Sequence, residues 1–88
     1  PSSPKPWLSV WPNPARNRIG VRLEGQDALV SQVRLRILSA DGRLMGSTDV
    51  RFSDGVSFLS VAHLPSGVYM LVAPIGKQVL SRRFIKFE

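Results

Sequence analysis

The run Gln32-Val33-Arg34-Leu35-Arg36-Ile37-Leu38 alternates apolar and cationic side chains almost without a break. In an extended strand, side chains two apart share a face, so Val33, Leu35 and Ile37 can all enter a core while Arg34 and Arg36 stay in water. An unpaired guanidinium is costly to bury, which sets the direction of the alternation. The segment predicts a half-buried β-strand with a strict register, because a slip of one residue would carry both arginines inside.

The same rhythm recurs on either side. Ile19, Val21 and Leu23 alternate with Arg18, Gly20 and Arg22, and Leu59 and Val61 flank Ser60. Helical spacing of apolar residues is almost nowhere sustained. The spacing predicts about seven strands, at Trp7–Trp11, Arg18–Leu23, Gln32–Leu38, Arg43–Phe52, Val56–Ala62, Val68–Ala73 and Gln78–Phe87. Asp41-Gly42, Asp54-Gly55 and Ile75-Gly76-Lys77 read as hairpin turns. Val68-Tyr69-Met70-Leu71-Val72 is apolar at every position, which predicts a central strand covered on both sides. The fold class is all-β, an antiparallel sandwich.

At 88 residues the chain has room for one domain. It contains no cysteine, so burial of strand faces, with no disulfide or thiolate metal site, has to hold it together. Pro1-Ser2-Ser3-Pro4-Lys5-Pro6 reads as the remnant of a linker, and residues 7–88 as the domain. No stretch approaches the roughly 18 consecutive apolar residues of a membrane-spanning helix. Twelve Lys and Arg against six Asp and Glu give a net charge of +6. That charge favours an acidic partner, although most of it alternates with apolar residues and so reads as the wet side of a sheet.

Parts for catalysis are few. His63 stands alone beside Leu64-Pro65 at a strand end, the serines lack a nucleophile-elbow pattern, and the acids are scattered singly. The reading is a protein that is not an enzyme and uses no metal or cofactor. Nucleic-acid binding would need aromatic platforms among the basic residues. Phe58, Tyr69 and Phe84 fall in the most apolar runs and are expected in the core, and Trp7 and Trp11 are expected on a first strand at the sandwich edge. Nucleic acid is therefore not an expected partner.

Four segments carry more than fold. Val10-Trp11-Pro12-Asn13-Pro14-Ala15-Arg16 opens the chain, with Pro12 and Pro14 locking φ around Asn13, whose amide is expected to bond its own backbone. Asp41-Gly42-Arg43-Leu44 follows. Leu64-Pro65-Ser66-Gly67-Val68-Tyr69 makes a corner, and Tyr69 is expected to bond back to it as in the tyrosine corner of immunoglobulin-like sandwiches. If the corner needs positive φ at Gly67, a β-branched residue there would be damaging. Arg82-Arg83-Phe84-Ile85-Lys86 closes the chain, with Phe84 expected inward and its basic neighbours solvated.

Together these motifs resemble the C-terminal sorting domain of the type IX secretion system of Bacteroidota, type A, the Por secretion tail family, over Trp7 to Lys86. The resemblance implies an immunoglobulin-like antiparallel β-sandwich that the outer-membrane secretion translocon recognises. It also implies transit through the periplasm to the cell surface or the extracellular space. A sortase commonly then cuts upstream of the sandwich and joins the cargo to anionic lipopolysaccharide. Some relatives instead retain the domain within a secretion-apparatus or surface complex. The terminal segment Arg82, Arg83, Phe84, Ile85 and Lys86 is the candidate recognition element, and Pro12, Asn13, Pro14, Asp41, Gly42, Leu64, Pro65, Gly67 and Tyr69 are structural. The rival reading is an adhesion or carbohydrate-binding sandwich, whose mark would be an exposed aromatic platform or calcium-ligand acids, and neither is evident in the sequence.

Overall fold

The computed structural model describes residues 7–24, 32–53, 55–75 and 77–87. The linker reading of residues 1–6 lies outside them. Seven strands are present: β1 (Trp7–Trp11), β2 (Arg18–Glu24), β3 (Gln32–Ser39), β4 (Leu44–Arg51), β5 (Val56–Ser60), β6 (Gly67–Ile75) and β7 (Gln78–Lys86). No helix occurs among the described residues. The strands form a three-stranded sheet, β1-β2-β5, and a four-stranded sheet, β4-β3-β6-β7. Every pairing within them is antiparallel.

The alternation in β3 is realised as expected: Val33, Leu35 and Ile37 are buried while Arg34 and Arg36 are exposed. On the facing sheet Ile19 and Val21 are fully buried. With Leu8, Leu71 and Phe84 they form one continuous core between the layers. Arg34 pairs across the strands with Asp49 at 3.2 Å, but both side chains are solvated and the pair contributes little.

The Asp41-Gly42 turn joins β3 to β4. Gly42 takes φ +87°, and its amide donates to the Ser39 carbonyl at 2.9 Å. The Ser39 hydroxyl donates to the Asp41 carboxylate, a bond that holds the carboxyl below the usual aspartate range. β6 and β7 also form a hairpin, with Ile75 facing Gln78; Gly76 itself lies outside the described residues.

Three expectations are corrected here. The strands on either side of Asp54-Gly55 do not pair as a hairpin in one sheet, since β4 and β5 belong to different layers. A tight turn is nonetheless marked there: Ser53 and Val56 exchange backbone hydrogen bonds at 2.9 and 3.1 Å, and Gly55 has φ +79°, while Asp54 itself lies outside the described residues. β6 is central in its sheet but is covered on one side only: Tyr69, Leu71 and Ala73 are buried, whereas Val68 is 40% exposed and Met70 and Val72 are half-buried. Phe58 does not enter the core. It sits on the outer face of β5 at 56% exposure, because Ser57 and Leu59 take the inward positions of that strand.

Candidate recognition surface

The opening, the corner and the ending of the chain meet at one end of the sandwich. Tyr69, early in β6, donates its hydroxyl to the Pro65 carbonyl at 2.6 Å, which closes the corner that follows β5. Gly67 has φ +159°, a backbone conformation that residues with a side chain rarely adopt, so the corner favours glycine there. Space is not the constraint: a Cβ would lie 3.8 Å from the Tyr69 ring, an ordinary contact.

Phe84 of β7 lies opposite Tyr69. Their rings stack with centroids 5.7 Å apart, and Phe84 is fully buried. Two residues on, Lys86 is also inside, at 4% exposure, which corrects the expectation that it is solvated. Its ammonium donates to the Leu64 carbonyl at 3.0 Å. The inward parity of the strand carries Lys86 to the corner, and the carbonyl there supplies the partner that a buried ammonium requires.

The opening segment closes the outer edge of the same strand. Asn13 does not bond its own backbone as expected; its side-chain oxygen accepts from the Ile85 amide at 2.9 Å. Ala15, fully buried, donates to the Ile85 carbonyl at 2.7 Å and accepts from the Phe87 amide at 2.8 Å. The Arg16 guanidinium lies 4.6 Å from the centre of the Phe87 ring. Pro12 and Pro14, each preceded by a cis peptide bond, shape the turn that holds Asn13 and Ala15 against β7.

The terminal segment does not form a single basic cluster. Arg82 lies opposite Leu71 and Arg83 opposite Met70, so the two arginines leave the strand on opposite faces, and both are exposed. Arg83 shares its face with Ile85, 46% exposed, and with Val68 of β6. Asp41 and Gly42 take no part in this junction; they close the β3–β4 hairpin described above. A groove of 510 Å³ between β4 and β5 has Leu35 and Ile37 at its base and His63 at its margin. His63 makes no hydrogen bond to a carboxylate or a serine among the described residues.

Two facing sheets, a tyrosine-locked corner and an end strand clamped by Asn13 and Ala15 define a small antiparallel β-sandwich. The model of the family described as "Secretion system C-terminal sorting domain" matches residues 9–87. The chain belongs to that family and is a type IX secretion C-terminal sorting domain. The family is one of sorting signals and not of enzymes, and membership implies export by the type IX system to the cell surface or extracellular space. No helix among the described residues is long and apolar enough to cross a membrane. No curated protein matches the chain.

Proposed function

We propose that the outer-membrane translocon recognises the folded domain at β7 and the strip of sheet beside it, pairing an extended segment of its own with the free part of that edge. Asn13 and Ala15 occupy the edge at Ile85 and Phe87. Among the described residues, the stretch from Val79 to Arg83 has no further backbone partner on its outer side. An unpaired edge of this kind is a template for strand addition. Next to it, Val79, Val68 and Ile85 are exposed apolar residues, and Arg82 and Arg83 supply charge on both sides of the strand.

Within the terminal segment, Phe84 and Lys86 serve the fold, and Arg82, Arg83 and Ile85 meet the partner. The single observation that carries this reading is the division of the β7 edge into a half clamped by the chain and a half left open. Residues 7–88 act as the sorting unit, carried through the periplasm. On this reading a sortase cuts upstream of the sandwich and joins the cargo to anionic lipopolysaccharide, and the Pro1–Pro6 composition is compatible with a protease-accessible linker.

Removing Arg82–Glu88 from a reporter fusion takes away Phe84 and Lys86 as well, and so mixes folding with recognition. The cleaner test is the double variant Arg83→Glu, Ile85→Ser, with its fold verified by thermal unfolding. The reporter is expected to accumulate in the periplasm. Surface display of the folded double variant at the wild-type level removes the proposal.

A further inference from the structure

The outer face of the three-stranded sheet, on the layer opposite β6 and β7, carries a second arrangement, apart from the β7 edge proposed above. Trp11 of β1, Gly20 of β2 and Phe58 of β5 stand in one cross-strand row. Trp11 is 38% and Phe58 56% exposed. The glycine between them decides the geometry. A Cβ at position 20 would come within 2.4 Å of the indole ring, so only glycine lets the indole lie down on the strand with its other side toward solvent. Phe58 stands at 77° to it, with centroids 6.3 Å apart.

The two rings form a corner, not a parallel slot. Beside them is a shallow depression of 670 Å³ that also takes in Arg18, Asn17 and Ser60. The Arg18 guanidinium lies 5.3 Å from the centre of the Phe58 ring and has no carboxylate partner among the described residues. Stacking on a ring fixes the plane of a guanidinium while leaving its edge N–H groups free for an anion. Glu24 is the only acid on the three strands, and it faces Arg22 at 3.9 Å. The field over the depression is therefore positive.

We propose that this corner is a binding site for an acidic saccharide. The electron-rich indole face receives the C–H groups along one side of a pyranose ring, and Phe58 bounds the ring's edge. Asn17 and Ser60 offer hydrogen bonds to hydroxyls, and Arg18 pairs with the carboxylate of a uronic acid or an equivalent anion. A nucleobase fits less well, since bases stack in parallel offset layers and the rings here meet nearly at right angles. The site is open and shallow, so a single sugar residue binds weakly and a chain of them binds better through repeated contact.

The chain is titrated with an oligogalacturonate, with an uncharged malto-oligosaccharide and with a thymidine oligonucleotide, followed through its amide and indole N–H resonances. The expected result is saturable binding of oligogalacturonate with shifts centred on Trp11, Gly20 and Phe58. Arg18→Gln and Phe58→Ser, both at exposed positions, are each expected to weaken it about tenfold. Trp11→Ala disturbs the cover over Gly20, so Phe58→Ser is the decisive variant. Absence of saturable binding overturns the proposal, as does unchanged affinity in folded Phe58→Ser. Equal shifts around Arg34 and Arg36 would mean diffuse charge attraction and also overturn it. Tighter binding of the oligonucleotide, or equal binding of the neutral sugar, rejects the ligand class.

Discussion

The Ile85 amide donates to the side-chain oxygen of Asn13, a residue 72 positions earlier, at 2.9 Å. The bond closes the edge of β7 with the turn that follows β1. With the two Ala15 bonds, it makes the opening motif and the terminal motif one structural object.

Asn13→Ala leaves the Ile85 N–H to water at the strand edge, and the expected loss is about 1 kcal/mol. Chemical denaturation measures it, and amide exchange locates it. Ile85 and Phe87 are expected to exchange faster while Leu35, in the core of β3, keeps its protection. Uniform loss of protection would show that the opening segment supports the whole fold and not this edge alone.

Tyr69→Phe keeps the stacked ring against Phe84 and removes only the hydroxyl bond to Pro65. The expected destabilisation is about 1–2 kcal/mol. Tyr69→Ala removes the ring as well, and about 3–5 kcal/mol is expected by analogy with other buried aromatics. A pair of denaturant midpoints tests both, and equal effects would mean that the hydroxyl, and not the ring, holds the corner.

Lys86→Ala deletes the donor to the Leu64 carbonyl and the stem that fills the space beside it, with an expected loss of about 2–3 kcal/mol. Export of a reporter carrying this change should fall together with its thermal stability. Full stability with lost export would instead make Lys86 a residue that the translocon contacts.

The Asp41 carboxyl is held low by the Ser39 hydroxyl. Its folded pKa lies below its unfolded value, so the stability it contributes is complete above the unfolded pKa and is lost as the pH falls through the folded one. Asp41 is exposed, so the effect is small. Unfolding midpoints of the wild type and Asp41→Asn, compared from neutral pH to about pH 2, should converge at the acid end. A gap that stays constant with pH would assign the effect to turn geometry instead.

Strand positions and inward faces were readable from the residues wherever alternation was clean. Val33, Leu35 and Ile37 could face only one way, because their neighbours are arginines. The corner at Leu64–Tyr69 was readable for a similar reason, since a glycine and a tyrosine at that spacing make a specific local bond. Both features depend on residues close together in the chain.

Three others do not. Whether Asp54-Gly55 turns within a sheet or crosses between layers depends on which distant strand completes the pairing, and β5 pairs with β2. Phe58 looks like core by residue type, although the Leu59 and Val61 alternation alone sets it outward; Trp11 comes beside it from β1 across β2, which the local sequence does not show. Lys86 looks like surface, yet strand parity and a carbonyl from residue 64 put it inside. Alternation along the chain says which side chains lie together on a face; the partner that the face meets, and hence whether an aromatic is wet or an ammonium is buried, is set by contacts between segments far apart in sequence.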